Sequence, residues 1–226
     1  MTAAYHAYDF KTAQSKLYDF CNDTLSAVYL AAVKDRLYCD KPDAPRRRRT
    51  QAALYLMTDG LARLLAPILP HTADETYRAL LKADQNSDAC VHLETFAPAP
   101  NAKADPAWTE VASLRAAALI ELEKARQQLR ERESAGDPAA KSAEPLDFGV
   151  TLPDTSGTLS RFDMEDLADL LGVSLVRIDA KATGITVEDR RKEPQCERSW
   201  KRDGTVRQRS DGGLLTDRDA AAVGVQ

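Results

Sequence analysis

Arg46-Arg47-Arg48-Arg49 is the densest positive feature of the chain, and a guanidinium presents a planar fork of donors matched to phosphate oxygens. Consecutive arginines at the start of a helix point around its cylinder, so about two of them can face one ligand. Gln51 follows closely, and Asn22, Lys34, Arg36 and Tyr38 stand in the stretch before. Amides, cations and an aromatic ring of these kinds suit base-edge hydrogen bonds, phosphate pairing and stacking, the means by which single-stranded RNA loops are read. The plainer reading of Lys34-Asp35-Arg36 is a solvated helix end, because exposed charge pairs contribute little. The net charge of −4 argues against a bulk nucleic-acid binder, but net charge averages over faces, and local clustering such as this is what a phosphate site needs.

No catalytic residue is expected. A histidine such as His71 could suggest acid–base chemistry as a residue type, but it has no neighbouring Ser, Cys or second His, and reads as a packed or capping histidine. Trp108 stands at helical spacing and reads as core. Cys90 and His92 are too few to hold a metal. Cys21, Cys39, Cys90 and Cys196 form no CxxC pair, Cys21 reads as a small hydrophobe on a helix face, and no disulfide framework is expected. There is no P-loop and no GxGxxG. No apolar run approaches the ~20 residues of a membrane span, and the first residues lack the regions of a signal peptide. A cytoplasmic protein follows.

The elements that must position these residues are mostly helical. Phe10, Ala13, Leu17, Phe20, Thr24, Val28 and Ala31 recur at three- and four-residue spacing, predicting one helix to about Tyr38. Pro42 and Pro45 break a turn that closes near the arginines. Ala53, Leu56, Gly60, Leu61, Leu64 and Leu65 supply the apolar face of a second helix, ended by Pro67 and Pro70. Thr72 and Glu75 have capping-box spacing and predict a third helix to about Lys82. Residues 83–104 read as irregular, with an extended stretch from Val91 to Phe96. Asp105 and Pro106 predict the start of a fourth helix, with Trp108, Val111, Ala118, Leu122, Ala125 and Leu129 on one face.

The composition then shifts. Ser134, Gly136, Asp137, Pro138 and Ser142 mark a linker. Beyond it the pattern is α/β: a strand at Phe148–Leu152, a helix over Phe162–Leu171 capped by Ser160 and stopped by Gly172, and strands at Val173–Ile178 and Ile185–Val187. The tail from Lys181 is basic and poorly periodic. The expected fold class is mainly α: a helical bundle over residues 1–132, a linker at 133–145, a small α/β module at 146–189 and a tail at 190–226.

Three stretches carry a family resemblance. Leu25-Ser26-Ala27-Val28-Tyr29-Leu30 continuing into Lys34-Asp35-Arg36-Leu37-Tyr38 resembles the LSxxYL…KDRLY helix of isoleucyl-tRNA synthetases. The arginine run with Thr50 and Gln51 follows at the family's spacing. Leu64-Leu65-Ala66-Pro67-Ile68-Leu69-Pro70-His71-Thr72-Ala73-Asp74-Glu75 is similar to LLAPxLPHTAxE, a motif shared more loosely with valyl-, leucyl- and methionyl-tRNA synthetases. The resemblance is strong over residues 5–97 and weaker over 105–226, and Ala31 stands where the family usually has Asp. It implies an anticodon-binding helical bundle, with tRNA contacts from Asn22, Lys34, Arg36, Tyr38, Arg46, Arg47, Arg48, Arg49, Gln51, Lys201 and Arg202.

The tail resembles the same family's zinc element. Cys196-Glu197-Arg198-Ser199-Trp200 looks like CxRCW with Ser199 in place of a cysteine, and Leu215-Thr216-Asp217-Arg218-Asp219 looks like LCxRC with Thr216 and Asp219 in place of two more. One thiol, two hydroxyls and a carboxylate make a poor zinc set, so a degenerate, zinc-free finger is expected, either flexible or packed on its neighbours. Lys201, Arg202, Arg207 and Arg209 remain available there for phosphate.

The signatures resembling HIGH and KMSKS are absent, and no editing domain fits, so the resemblance implies a piece of a longer ligase. ATP and magnesium would go with a separate catalytic domain. The expected partners are that domain and tRNA, an isoleucine-accepting one, with neither DNA nor membrane. The alternatives are a stand-alone interaction module, a remnant without function, and a valyl- or leucyl-type anticodon domain.

Overall fold

The computed structural model describes residues 1–84, 86–98, 103–137, 140–141 and 143–226. Pro138 and Ser142 of the expected linker lie outside the described residues. The chain divides into two compact units, one of residues 1–28 and 42–102, the other of 29–41 and 103–226. This division differs from the expected boundary near residue 132. The segment carrying Lys34, Arg36 and Tyr38 belongs with the C-terminal residues.

The first unit opens with a short helix α1 (Thr2–His6) and α2 (Phe10–Asp19), the latter capped by the Asp9 carboxylate, which accepts from the Thr12 backbone N–H at 3.0 Å. Beyond α2 the helix is wound as π over Phe20–Leu30 and resumes as α3 (Ala31–Cys39). The expected single helix is therefore interrupted by a long wide-turn stretch, which three- and four-residue spacing cannot reveal because a π turn shifts the register.

Helix α4 (Pro45–Leu65) begins with Pro45 at its first position, so this proline starts the helix and does not belong to the preceding turn. Helix α5 (Pro70–Leu81) starts the same way at Pro70. The predicted Thr72–Glu75 capping box is not used, because the helix begins two residues earlier. The Thr76 hydroxyl instead donates to the Thr72 carbonyl at 2.7 Å. Ala62 of α4 and Ala66 at its C-terminal cap meet Ala73 and Tyr77 of α5, and small residues at such a seam let backbones approach closely. Tyr5 stacks on Phe96 with centroids 5.3 Å apart and donates its hydroxyl to the Leu64 carbonyl at 2.6 Å. Leu56, expected on the apolar face of α4, is instead 70% exposed.

Val91–Leu93 forms a 3₁₀ turn where an extended stretch was expected. Long-range polar contacts impose it: Asp74 accepts from the Val91 N–H at 2.9 Å, and Arg78 donates to the Ala89 carbonyl at 2.6 Å.

In the second unit, α6 (Ala107–Ser134) lays Val111, Ala118, Leu122 and Leu129 against a three-stranded sheet. Strand β1 (Phe148–Pro153) is central, parallel to β2 (Leu175–Asp179) and antiparallel to β3 (Thr186–Asp189). Trp108 is half-exposed and meets Phe162 edge-on, so it is only partly the core residue expected. Helix α7 (Met164–Leu171) makes the crossover from β1 to β2 and ends at Gly172, whose φ of 72° is the left-handed value glycine tolerates. Its cap is Asp163, not Ser160, and Ser160 is taken up by the buried carboxylate of Asp154 at 2.8 Å.

The tail is ordered by two further strands, β4 (Arg207–Gln208) and β5 (Leu214–Leu215), and by α8 (Asp217–Val223), around Cys196, Val206, Leu215 and Ala220. It is packed on its neighbours: Arg202 pairs with Asp147 at 2.9 Å, and Arg198 donates to the Tyr38 carbonyl at 2.9 Å.

Candidate functional site

The sequence-derived candidates fall into both units. In the first, the arginines occupy the opening turns of α4. Arg48 and Arg49 are exposed, and Arg46 and Arg47 are half-buried. Arg48 donates to the Gln51 amide oxygen at 3.3 Å, and Thr50 is buried with its hydroxyl donating to the Arg46 carbonyl at 3.1 Å. The helix has no acidic residue in its first turn and no side-chain cap. The N-terminus of a helix already carries partial positive charge, so cations there disfavour the fold by about 0.3–1 kcal/mol each. A cluster of them costs stability and is relieved by a bound anion. Asn22, in the π-wound stretch, is exposed and donates to Asp23 at 2.7 Å.

In the second unit, Lys34 and Tyr38 project from α3, Tyr38 being 78% exposed. Trp200 is 65% exposed and held at a left-handed φ of 62°. Residue type and spacing do not single it out as a binding residue. The signal available was a tryptophan in a polar, aperiodic segment, where no core position requires one.

Arg36, Lys201 and Arg202 occupy different surroundings. Arg36 donates to Asp169 at 3.2 Å and pairs with Asp166 at 2.8 Å. Lys201 is buried, with its ammonium 2.7 Å from Asp169 and 3.1 Å from Asp35. Arg218 closes the group by a bidentate pair with Asp35. Arg202 is engaged with Asp147 and the Glu193 carbonyl. These cations therefore fasten α3, α7 and the tail together, and their donors are directed inward. Arg209 is likewise buried against the Leu215 carbonyl at 3.0 Å, whereas Arg207 is exposed beside Asp217. The hub, Asp169, was missed by sequence reasoning. Its signal was a carboxylate inside the apolar run Leu167–Leu171, where a charge has to find a partner.

Charge states follow from this packing. Burial alone would raise the Asp35 carboxyl, but hydrogen bonding from Arg218 and the charges of Lys201 and Arg218 outweigh it and hold the pKa at about 2. Burial would lower the Lys201 ammonium, but Asp169 and Asp35 outweigh that and push it up. Burial, with Asp35 and Asp219 nearby, pushes the Cys39 thiol up to about 11, so it is an unreactive thiol. Because the Asp35 pKa is depressed on folding, its contribution is present above the unfolded value near pH 4 and is lost as pH falls toward 2. That contribution is roughly 2 kcal/mol. Urea unfolding of the wild type should show this loss between pH 4 and 2, and Asp35→Asn should be less stable at neutral pH with a flatter acid limb.

His71 is exposed at the start of α5. Among the described residues no group of three or more His, Cys, Asp or Glu side chains is placed to hold a metal, and no helix is long and apolar enough to cross a membrane. The four cysteines are free thiols, Cys39 and Cys196 buried and Cys21 and Cys90 half-buried.

Residues 1–139 match the family described as the anticodon-binding domain of tRNA ligase. The isoleucine–tRNA ligase of Bradyrhizobium diazoefficiens is 32% identical over 97% of this chain, covering 22% of that protein. That of Geobacter sulfurreducens is 32% identical over 99% of the chain and 24% of its own length. That of Exiguobacterium sibiricum is 34% identical over 88% and 21%. The chain thus spans between a fifth and a quarter of the length of these relatives.

Proposed function

As the chain belongs to the anticodon-binding domain family of tRNA ligases, we propose that it binds tRNA at the anticodon stem-loop, with an isoleucine-accepting tRNA as the cognate partner. The arginine-headed α4 carries this reading. The exposed guanidiniums of Arg48 and Arg49, near an already positive helix end with no acidic residue in its first turn, are favourable for a phosphate backbone. Arg48 and Arg49 supply phosphate contacts, with Gln51 and Asn22 on base edges or ribose. In the second unit Tyr38 and Trp200 offer exposed rings on which unstacked bases can lie, with Lys34 and Arg207 for phosphate. Arg36, Lys201 and Arg202 act indirectly, by holding the elements that carry Tyr38 and Trp200.

The isoleucine assignment rests on the names of the relatives and on the KDRLY helix, and it sets aside the valyl- and leucyl-type readings. The role is binding and orientation within a longer ligase, in the cytoplasm, with bond-making left to an ATP-dependent catalytic domain. A titration of the purified chain with an isoleucine-accepting tRNA and an unrelated tRNA, at two salt concentrations, tests it. Preferential binding that weakens with salt is the expected result. A folded sample that binds neither, or both equally, would refute autonomous anticodon recognition.

A further inference from the structure

Four polar side chains from two turns of the tail meet at one buried point. Cys196 and Ser199 stand three residues apart in the first turn, and Thr216 and Asp219 three residues apart at the start of α8. The Asp219 carboxylate is fully buried, and its Oδ2 accepts from the Ser199 hydroxyl at 2.5 Å, the Thr216 hydroxyl at 2.9 Å and the Cys196 thiol at 3.2 Å. Paired x₂ spacings that converge in this way are the geometry of a closed four-ligand metal site. They are also the positions that the sequence resemblance equates with zinc thiolates.

We propose that the Asp219 carboxylate itself takes the structural place of the metal, making the tail a metal-independent knuckle held by hydrogen bonds to one buried anion. The donor set and the charge balance both point this way. Three of the four corners carry oxygen, two of them hydroxyls that bind a divalent cation weakly. The lone pairs of Oδ2 are occupied by the other three corners. Positive charge is already supplied: Arg198 reaches Asp219 Oδ1 at 3.0 Å, and Arg218 lies 3.4 Å from Oδ2. A divalent cation at the same point would face two guanidiniums. The reciprocal bond from the Asp219 backbone N–H to the Thr216 hydroxyl, at 3.0 Å, makes the same residues the cap of α8, so the anion fixes both turns and the helix that follows. None of this depends on the tRNA-binding reading.

The decisive test uses the purified full chain. Elemental analysis is expected to find less than about a tenth of an equivalent of zinc, and thermal unfolding should be unchanged by a strong chelator, whereas a structural zinc site would lose its folding energy outright. Asp219→Asn, which keeps the shape but removes the charge facing Arg198 and Arg218, should lower the melting temperature by about 5 °C or more. In the variant Ser199→Cys/Thr216→Cys/Asp219→Cys, the four corners become thiolates. It should bind one equivalent of cobalt with tetrahedral tetrathiolate absorption, and become stabilised by zinc. Stoichiometric zinc in the wild type, with chelator-induced loss of stability, would overturn the proposal. So would a folded four-thiol variant that binds no cobalt, or an Asp219→Asn chain as stable as the wild type. Should the four-thiol variant fail to fold without metal yet fold when refolded with zinc, the proposal is supported. If it fails under both conditions, the chelator and Asp219→Asn measurements decide.

Discussion

Asp169→Ala is expected to destabilise the second unit by about 3 kcal/mol, read by urea unfolding at neutral pH, because removing one partner leaves buried charge behind. The Asp169 side chain is only 1% exposed and serves two cations, Lys201 and Arg36. Both keep a second carboxylate, Asp35 and Asp166 respectively, so the loss should fall toward the lower end of what breaking a buried pair costs. Lys201→Met in the Asp169→Leu background separates two effects. The double variant should be less destabilised than the sum of the single variants, since it removes both the charge and the partner it was left without. Additive losses would show that the ammonium and the carboxylate do not depend on one another. A single-variant loss below about 0.5 kcal/mol would place this network among surface pairs of little consequence.

Arg48→Glu/Arg49→Glu should lower affinity for tRNA by roughly 10–100-fold at low salt, and should flatten the salt dependence by about one unit of slope for each arginine–phosphate pairing removed. The same variant should unfold at the same or a slightly higher temperature. Acidic residues at a helix N-terminus are favoured by about 0.3–1 kcal/mol where the arginines were disfavoured. Opposite signs for binding and stability distinguish a binding patch from a structural one. An unchanged titration with a folded variant would remove α4 from the interface. Arg36→Gln should behave in the reverse manner. It should cost stability first and lose affinity mainly through displacement of Tyr38.

How much of this is legible in the sequence differs element by element. Strand β1 and the stop at Gly172 are readable because local signals agree with the packing around them, a short apolar run and a glycine that must turn left-handed. Helix α6 is readable from its apolar face, but its cap falls on Pro106 and not on the expected Asp105, whose carboxylate accepts from the Ala107 N–H at 3.0 Å. The 3₁₀ turn at Val91 is not readable, because Asp74 and Arg78 impose it from another helix. The hairpin β4–β5 escapes because two-residue strands leave no period. Helix α8 does have a local signal, since Thr216 and Asp219 carry capping spacing, but the same spacing also fits a pair of metal ligands. Among the site residues, the arginine cluster shows its position plainly, as the start of a helix. The roles of Arg36 and Lys201 are hidden because a sequence does not say which carboxylates, 133 and 32 residues away, will meet them.

The alternation of the two units along the chain sets a schedule for biosynthesis. Asp35 and its partner Arg218 are separated by 183 residues. At a synthesis rate of roughly 5–20 residues per second, Asp35 waits on the order of ten to forty seconds for that guanidinium. Within this interval the first unit receives its last residue, and α3 then gains α7, through Asp166 and Asp169, before the tail brings Lys201 and Arg218 to Asp35. A chain that stalls before the tail emerges therefore holds α3 against α7 but leaves the Asp35 carboxylate without either of its cations, Lys201 and Arg218.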